Sequence, residues 1–298
     1  MQSFSRGWSF LKQAWEMAFK DKDLLKPSIY ALVAGMIVSV IGIIPLAIGY
    51  FIFGTEGVGG FVMFIMGGIL VFAQFVVAYV FSGMTVYLIY GYLSEGDGRM
   101  DKAWEIVRRD FFDILTLAAA STAVNMLKSA AQRNKKNSIT ANLARSATSL
   151  LETLWTEAAL LVLPAMIIDD LNLKDGMQRV WKITKENLLL VGISTVGVRW
   201  VTGLISFLFG VVGFGIAFAI GGGLTYVSGG NAALSITGIV IGALVFFAFV
   251  MVASVFSSYT NTAYHTCLYI WAREVETARA QGSSMQVNAP APLAAALA

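Results

Sequence analysis

The chain has 298 residues, of which 57% are hydrophobic and only 13% charged, with a formal charge of +3. A soluble domain is about a quarter charged. Half that share, with a mean hydropathy of +0.72, excludes an ordinary soluble fold, and the small net charge leaves a nucleic-acid partner without support.

The charge is collected into a few segments. Between them run apolar stretches of about 20 residues or more, long enough to cross a ~30 Å hydrocarbon core. The pattern predicts an all-α, polytopic transmembrane helix bundle with six spans and membrane lipids as its first partners. Residues 1–26 read as an amphipathic helix. Span one runs over 28–53, span two over 58–93 and span three over 111–127. A basic segment follows, with Lys128, Arg133, Lys135, Lys136 and Arg145. Span four covers 149–168, span five 187–222, and span six starts near Ala232 and reaches Trp271. The tail from Gln281 has a composition that favours disorder unless something holds it. No cleavable signal peptide is expected, because the first apolar run starts only near Ser28 and is long enough to stay as a span.

At ~1.5 Å per residue, spans two, five and six reach ~50–60 Å, well beyond the core. They must tilt, break or project. Polar runs at Tyr87–Tyr92 and Ser257–Thr262 favour projection for spans two and six. Gly210, Gly213 and Gly215 offer span five a break, which would move the C-terminus to the other side. Cation placement orients the chain. With six spans and the N-terminus inside, fifteen of the twenty-one lysines and arginines are cytoplasmic. Both termini are then cytoplasmic. The 128–145 segment violates the pattern. Either it faces outward regardless, or spans three and four form a re-entrant hairpin; six full crossings are favoured.

Three segments align without gaps: QAWEMAFKDKDLL from Gln13, KAWEIVRRDFFDIL from Lys102 and RVWKITKENLLLV from Arg179. They superpose Trp15, Trp104 and Trp181, and then Asp21, Asp110 and Asn187. In each, apolar residues recur three and four apart: Leu11, Ala14, Trp15 and Ala18; Met100, Ala103, Trp104, Val107 and Phe111; Met177, Val180, Trp181, Thr184 and Leu188. Charges occupy the opposite faces, the pattern of a helix lying at a membrane interface. Tryptophan suits that depth as an anchor. The chain thus reads as one transmembrane domain, 1–275, made of three units near 1–98, 99–172 and 173–275, followed by a tail at 276–298. Each unit is a cytoplasmic-side interfacial helix and a pair of spans. The competing reading is that such helices often precede spans and share tryptophan by chance. Asp169 and Asp170 then end unit two as helix-junction acids, with a metal or catalytic pair as the alternative.

At these residues the chain resembles an uncharacterised family of prokaryotic six-span integral membrane proteins. The stretch FSRGWSFLKQAWEMAFKDKDLLKPS carries the likeness, with RGW, a second tryptophan and the DKDLL string ahead of span one. A second signature is Pro164 near the end of span four, an acidic residue and a short helix with a basic-aliphatic-aromatic core. A similar arrangement occurs in membrane domains attached to some glycerophosphodiester phosphodiesterases. The resemblance covers residues 4–275 and implies a prokaryotic inner-membrane location. It brings no established activity or catalytic residue, and no soluble phosphodiesterase domain is present. The basic 128–145 segment and the Ala/Pro-rich tail depart from it.

Few residues offer chemistry. Arg199 lies within span five, where a cation costs ~2.5–3.5 kcal/mol and usually finds a partner. Glu157 sits at matching depth in span four, so an Arg199–Glu157 pair is expected, or failing that Arg199–Glu152. The pair is either a clamp between helices or part of a substrate or proton path. Gly35, Gly42 and Gly49 recur every seven residues on span one, and Gly238 and Gly242 are four apart on span six. Both stripes admit close helix approach, within the chain or between copies. Gln74 and Asn125 read as interhelical hydrogen-bond groups. A single cysteine, Cys267, excludes an internal disulfide, and a single histidine, His265, excludes a histidine-rich metal site. Both read as structural. No nucleotide loop, zinc motif or nucleophile elbow is visible, so no cofactor or metal is expected. The leading expectation is a non-enzymatic scaffold or accessory subunit, associating with itself or with other membrane proteins. The alternative is a transporter or channel with a polar site around Arg199. A lipid-active enzyme comes last, with no motif behind it.

Overall fold

The computed structural model describes residues 2–54, 56–133, 139–186, 188–227, 229, 231–281 and 287–297. Of these, the side chains of 2–3, 133, 139–144, 184, 186, 188–197, 199 and 296–297 lie outside the description. Among the described residues the chain is helical with no strand. The order is α1 Gln2–Lys20, a 3-10 turn Lys22–Leu24, α2 Lys26–Phe53, α3 Gly57–Glu95 and α4 Met100–Arg109. Then come α5 Phe111–Arg133, α6 Ile139–Asp169, α7 Leu173–Glu186, α8 Leu188–Val227, α9 Ala232–Ala280 and α10 Ala291–Leu297. Six of these helices are long and apolar enough to cross a membrane: α2, α3, α5, α6, α8 and α9.

Local chemistry sets the boundaries. Asp21 accepts from Asp23 N at 3.0 Å and caps the short turn, and Pro27 opens α2, where a missing N–H costs nothing. Gly96 ends α3 with φ +81, a left-handed conformation a side chain resists, and its N–H donates to Tyr92 O at 3.0 Å. Asn172 Oδ1 accepts from Asp175 N at 3.0 Å to start α7, and Asn231 Oδ1 does the same for Ala233 N at 3.0 Å in α9. α8 runs unbroken through Gly210, Gly213 and Gly215, so the glycine break considered for span five does not occur. At 1.5 Å per residue the 40-residue α8 is ~60 Å long and the 49-residue α9 ~73 Å.

The chain forms two compact units, Met1–Lys20 with Leu189–Tyr264 and Ala289–Ala298, and Asp21–Leu188 with His265–Asn288. This grouping differs from the repeat boundaries near 98 and 172. In the first unit α8 and α9 form a hairpin and α1 packs beside α9. Trp15 stacks on Phe256 at 4.9 Å between centroids, and Tyr259 donates to Ala14 O at 2.9 Å. α10 packs on α1 with Leu293 fully buried. The tail therefore contains a packed helix, contrary to what its composition favours on its own. Alanines suit a helix, and α1 supplies the surface that a short apolar segment lacks.

In the second unit α2 and α3 form a hairpin. The C-terminal half of α3, from Tyr79 to Ile89, packs with α4, α5 and α6. The core lies toward that end, through Ile114, Leu117, Leu163 and Met166. The most apolar stretches of α2, α3, α8 and α9 contain almost no fully buried residue, whereas those of α5 and α6 are partly buried.

The three tryptophan helices share a register. α1 ends before Asp21 and α4 before Asp110, while the aligned Asn187 lies outside the described residues. The residue before each tryptophan is buried (Ala14, Ala103, Val180), and the residue after it is exposed (Glu16, Glu105, Lys182). The tryptophans themselves differ. Trp104 and Trp181 are 47% and 72% exposed. Trp15 is half-buried and donates through Nε1 to Thr260 Oγ1 at 3.1 Å. On α1 the exposed aromatic strip is Phe4, Trp8 and Phe19 instead.

Candidate functional site

The polar groups gather around α6. At its C-terminal end, Asp169 Oδ2 accepts the Tyr269 hydroxyl at 2.5 Å, and Oδ1 lies 3.1 Å from Arg273 Nε. Arg179 Nε stands 4.0 Å from Asp169 Oδ2, and its Nη1 pairs with Glu276. Lys182 Nζ joins Glu276 at 2.6 Å. Asp170 closes α6 with φ +54 and takes Arg109 Nη2 at 3.0 Å. Arg109 also grips Asp110, donating from Nε at 2.6 Å and from Nη2 at 3.0 Å. Four acids thus meet four cations, and α6, α7, α9 and the α4–α5 junction are tied together. Burial pushes the Asp110 carboxyl above its ordinary value, and Arg109 pulls it only part of the way back. Burial works against the charge of Arg179, but Tyr269, Glu276 and Asp169 outweigh it and hold the guanidinium up.

This arrangement answers what Asp169 and Asp170 do. Both are engaged by arginines, so neither is poised as a free general base. No group of three or more acids, histidines or cysteines suited to a metal ion occurs among the described residues.

Further along α6 sit three more polar contacts. Glu157 Oε2 faces His265 Nε2 of α9 at 3.5 Å, with His265 4% exposed. Trp155 Nε1 donates to Ser121 Oγ at 2.8 Å, and that oxygen also shares a 2.7 Å hydrogen bond with the Tyr79 hydroxyl. Glu152 pairs with Lys128 of α5. The side chain of Arg199 lies outside the described residues, and so does its expected pairing with Glu157 or Glu152. The Lys128–Glu152 pair escaped sequence reasoning because Lys128 was assigned to a connecting segment, whereas α5 continues to Arg133. Depth matching would have found it. Lys128 is seventeen residues from the start of α5 at Phe111, and Glu152 seventeen from the end of α6 at Asp169.

Both glycine stripes lie inside hairpins. A Cβ on Gly42 would come within 2.3 Å of Leu70 Cδ1, and one on Gly35 within 3.3 Å of Gln74 Oε1. One on Gly49 would meet Met66 Sδ at 3.1 Å. Gln74 Nε2 bridges the same hairpin, donating to Gly35 O at 2.9 Å and Ser39 Oγ at 2.7 Å. In the α8–α9 hairpin, a Cβ on Gly242 would sit 2.6 Å from Ala217 O, and one on Gly238 2.8 Å from Leu224 Cβ. Beside that contact runs an open apolar groove lined by Phe214, Phe218, Gly222 and Phe246. Cys267 is buried.

Fold and site together define an integral membrane protein with six helices apolar enough to cross a membrane and a cluster of charged pairs around α6. No protein-family model matches the chain, and no curated protein matches it.

Proposed function

We propose that this protein is a non-enzymatic scaffold or accessory subunit of a membrane assembly, associating with copies of itself or with other membrane proteins. The observation that carries the reading is the contrast between its spans. α5 and α6 are packed and cross-linked by polar pairs, while the most apolar stretches of α2, α3, α8 and α9 hold few fully buried residues. Lipid gives helices no hydrophobic reason to associate, so packing surfaces decide assembly. The glycine stripes are occupied within the chain. The contacting surface is therefore the branched and aromatic outer face, with Ile41, Ile44 and Ile48 on α2 and Phe207, Phe214 and Phe218 on α8.

The threefold repeat belongs to the same proposal. Shared buried and exposed positions on either side of Trp15, Trp104 and Trp181 support it. Trp104 and Trp181 serve as interfacial anchors, and Phe4, Trp8 and Phe19 take that part on α1. The proposed location is a prokaryotic inner membrane with both termini cytoplasmic. Kinship with the six-span family that the N-terminal signature resembles is part of the reading. Gentle purification followed by mass spectrometry of the intact assembly tests it. Oligomers or co-purifying membrane proteins are expected; a lone monodisperse monomer overturns it.

A second reading, transport, draws on the ionisable pairs at successive depths of α6, Glu152–Lys128 and Glu157–His265. Intramembrane ionisable residues mark ion paths in other proteins. Proteoliposome flux that Glu157→Gln abolishes without loss of folding would favour it.

A further inference from the structure

α10 rests on α1 in a way that makes it replaceable. It has seven residues, fewer than the ~12–15 at which an isolated helix becomes even marginal. Its helical form therefore depends on the surface that receives it. The described side chains of α10 are alanine, proline and leucine, so apolar packing holds it, with Pro292 and Leu293 buried. Its first hydrogen bond, Ala294 N to Pro290 O at 2.8 Å, is internal. Ten residues, 281–290, join α9 to α10, a reach of up to ~33 Å when extended. Val287 O, just ahead of α10, accepts from Trp271 Nε1 at 3.3 Å.

We infer that the face of α1 beneath α10 is a docking groove for a short leucine-bearing apolar helix, and that the 287–297 segment of a second copy occupies it by exchange with the chain's own. The outgoing and incoming helices are identical, so exchange alters no contact in the groove. Only the connecting residues and the protein concentration choose between the closed and exchanged forms. This rests on the self-assembly reading above and gives it a partner surface distinct from the outer faces of α2 and α8.

The test uses full-length chains. Leu293→Asp places a carboxylate where Leu293 is fully buried and vacates the groove. A labelled peptide of residues 287–298 should bind the Leu293→Asp chain at least about ten-fold more tightly than the unaltered chain, whose groove is filled. The same peptide carrying aspartate in place of leucine should bind about ten-fold more weakly. No binding, or equal binding by the two peptides, overturns the groove. Should Leu293→Asp lose helicity, Leu293→Ala replaces it. In co-expression, a tagged Leu293→Asp chain should retain untagged wild type well above untagged Leu293→Asp. Equal retention of both overturns the exchange but leaves self-assembly standing. Retention of neither overturns both.

Discussion

Lys128 and Glu152 show what a single pair does inside a membrane helix hairpin. Each side chain is about a quarter exposed, and neither charge is cheap at that depth without the other. Glu152→Gln leaves the ammonium alone and should destabilise by about 1–3 kcal/mol, lowering the melting temperature in detergent. Lys128→Met with Glu152→Met should recover most of the loss, because removing both charges also removes the desolvation cost. An unchanged melting temperature for Glu152→Gln would show that the pair is not formed. Asp110 makes a pH prediction. Its carboxyl is raised by burial, so the folded state holds the proton more tightly than the unfolded chain. The stability it contributes is fully present below the ordinary carboxylate value of ~3.9 and is lost as pH rises through the higher folded value. Asp110→Asn should lack that decline in melting curves recorded across this window. Much at this scale was legible beforehand. Gln74 was readable as an interhelical hydrogen-bond group, and His265 as a residue held in place. The Arg109 bridge between Asp110 and Asp170 was not, because those two acids are sixty residues apart in sequence and meet only through packing.

At the scale of elements, the glycines divide sharply. Gly242 lies against the backbone of Ala217, where nothing can give, while Gly210 and Gly222 in α8 face open space. Gly242→Ala should therefore cost about 1–3 kcal/mol through overpacking. Gly222→Ala should be neutral or stabilising by up to ~1 kcal/mol, since alanine is the better helix former. Melting of the two variants in one detergent checks both. The tryptophans divide in the same way. Trp15→Ala removes a stacked ring and a hydrogen bond and should lower the melting temperature, whereas Trp181→Ala should leave it unchanged in detergent. The alignment of the three segments set Asp21 and Asp110 at equivalent positions, and α1 and α4 end just before them, although the amphipathic reading carried the first helix on to residue 26. The alignment did not locate which tryptophan packs, because that depends on Phe256 and Thr260 of α9, which no local pattern connects to α1.

For the whole molecule, the buried core and the bare spans set the expectations. Cys267 is the only cysteine and is buried, so a new surface thiol reports without interference. Ile41→Cys and Ile48→Cys on the bare face of α2 should cross-link into dimers in native membranes. If neither does, and neither do matched positions at Phe207 and Phe214 on α8, the outer faces meet lipid alone and assembly through them is ruled out.

The membrane class, the six spans and the positions of the tryptophan helices were determined by the sequence itself. Each rests on a property local to a stretch of chain: the length of an apolar run, a period of three to four residues, a capping amide or a glycine. Tertiary structure alone decided that α8 stays continuous across its glycines, that both glycine stripes close hairpins, and that Asp169 and Glu276 gather cations from α7 and α9. It also decided that the tail folds onto α1. These outcomes depend on which surfaces meet. Pairing a charge or burying a leucine has an energy only once a partner from elsewhere in the chain is in reach, and local pattern carries no record of that partner.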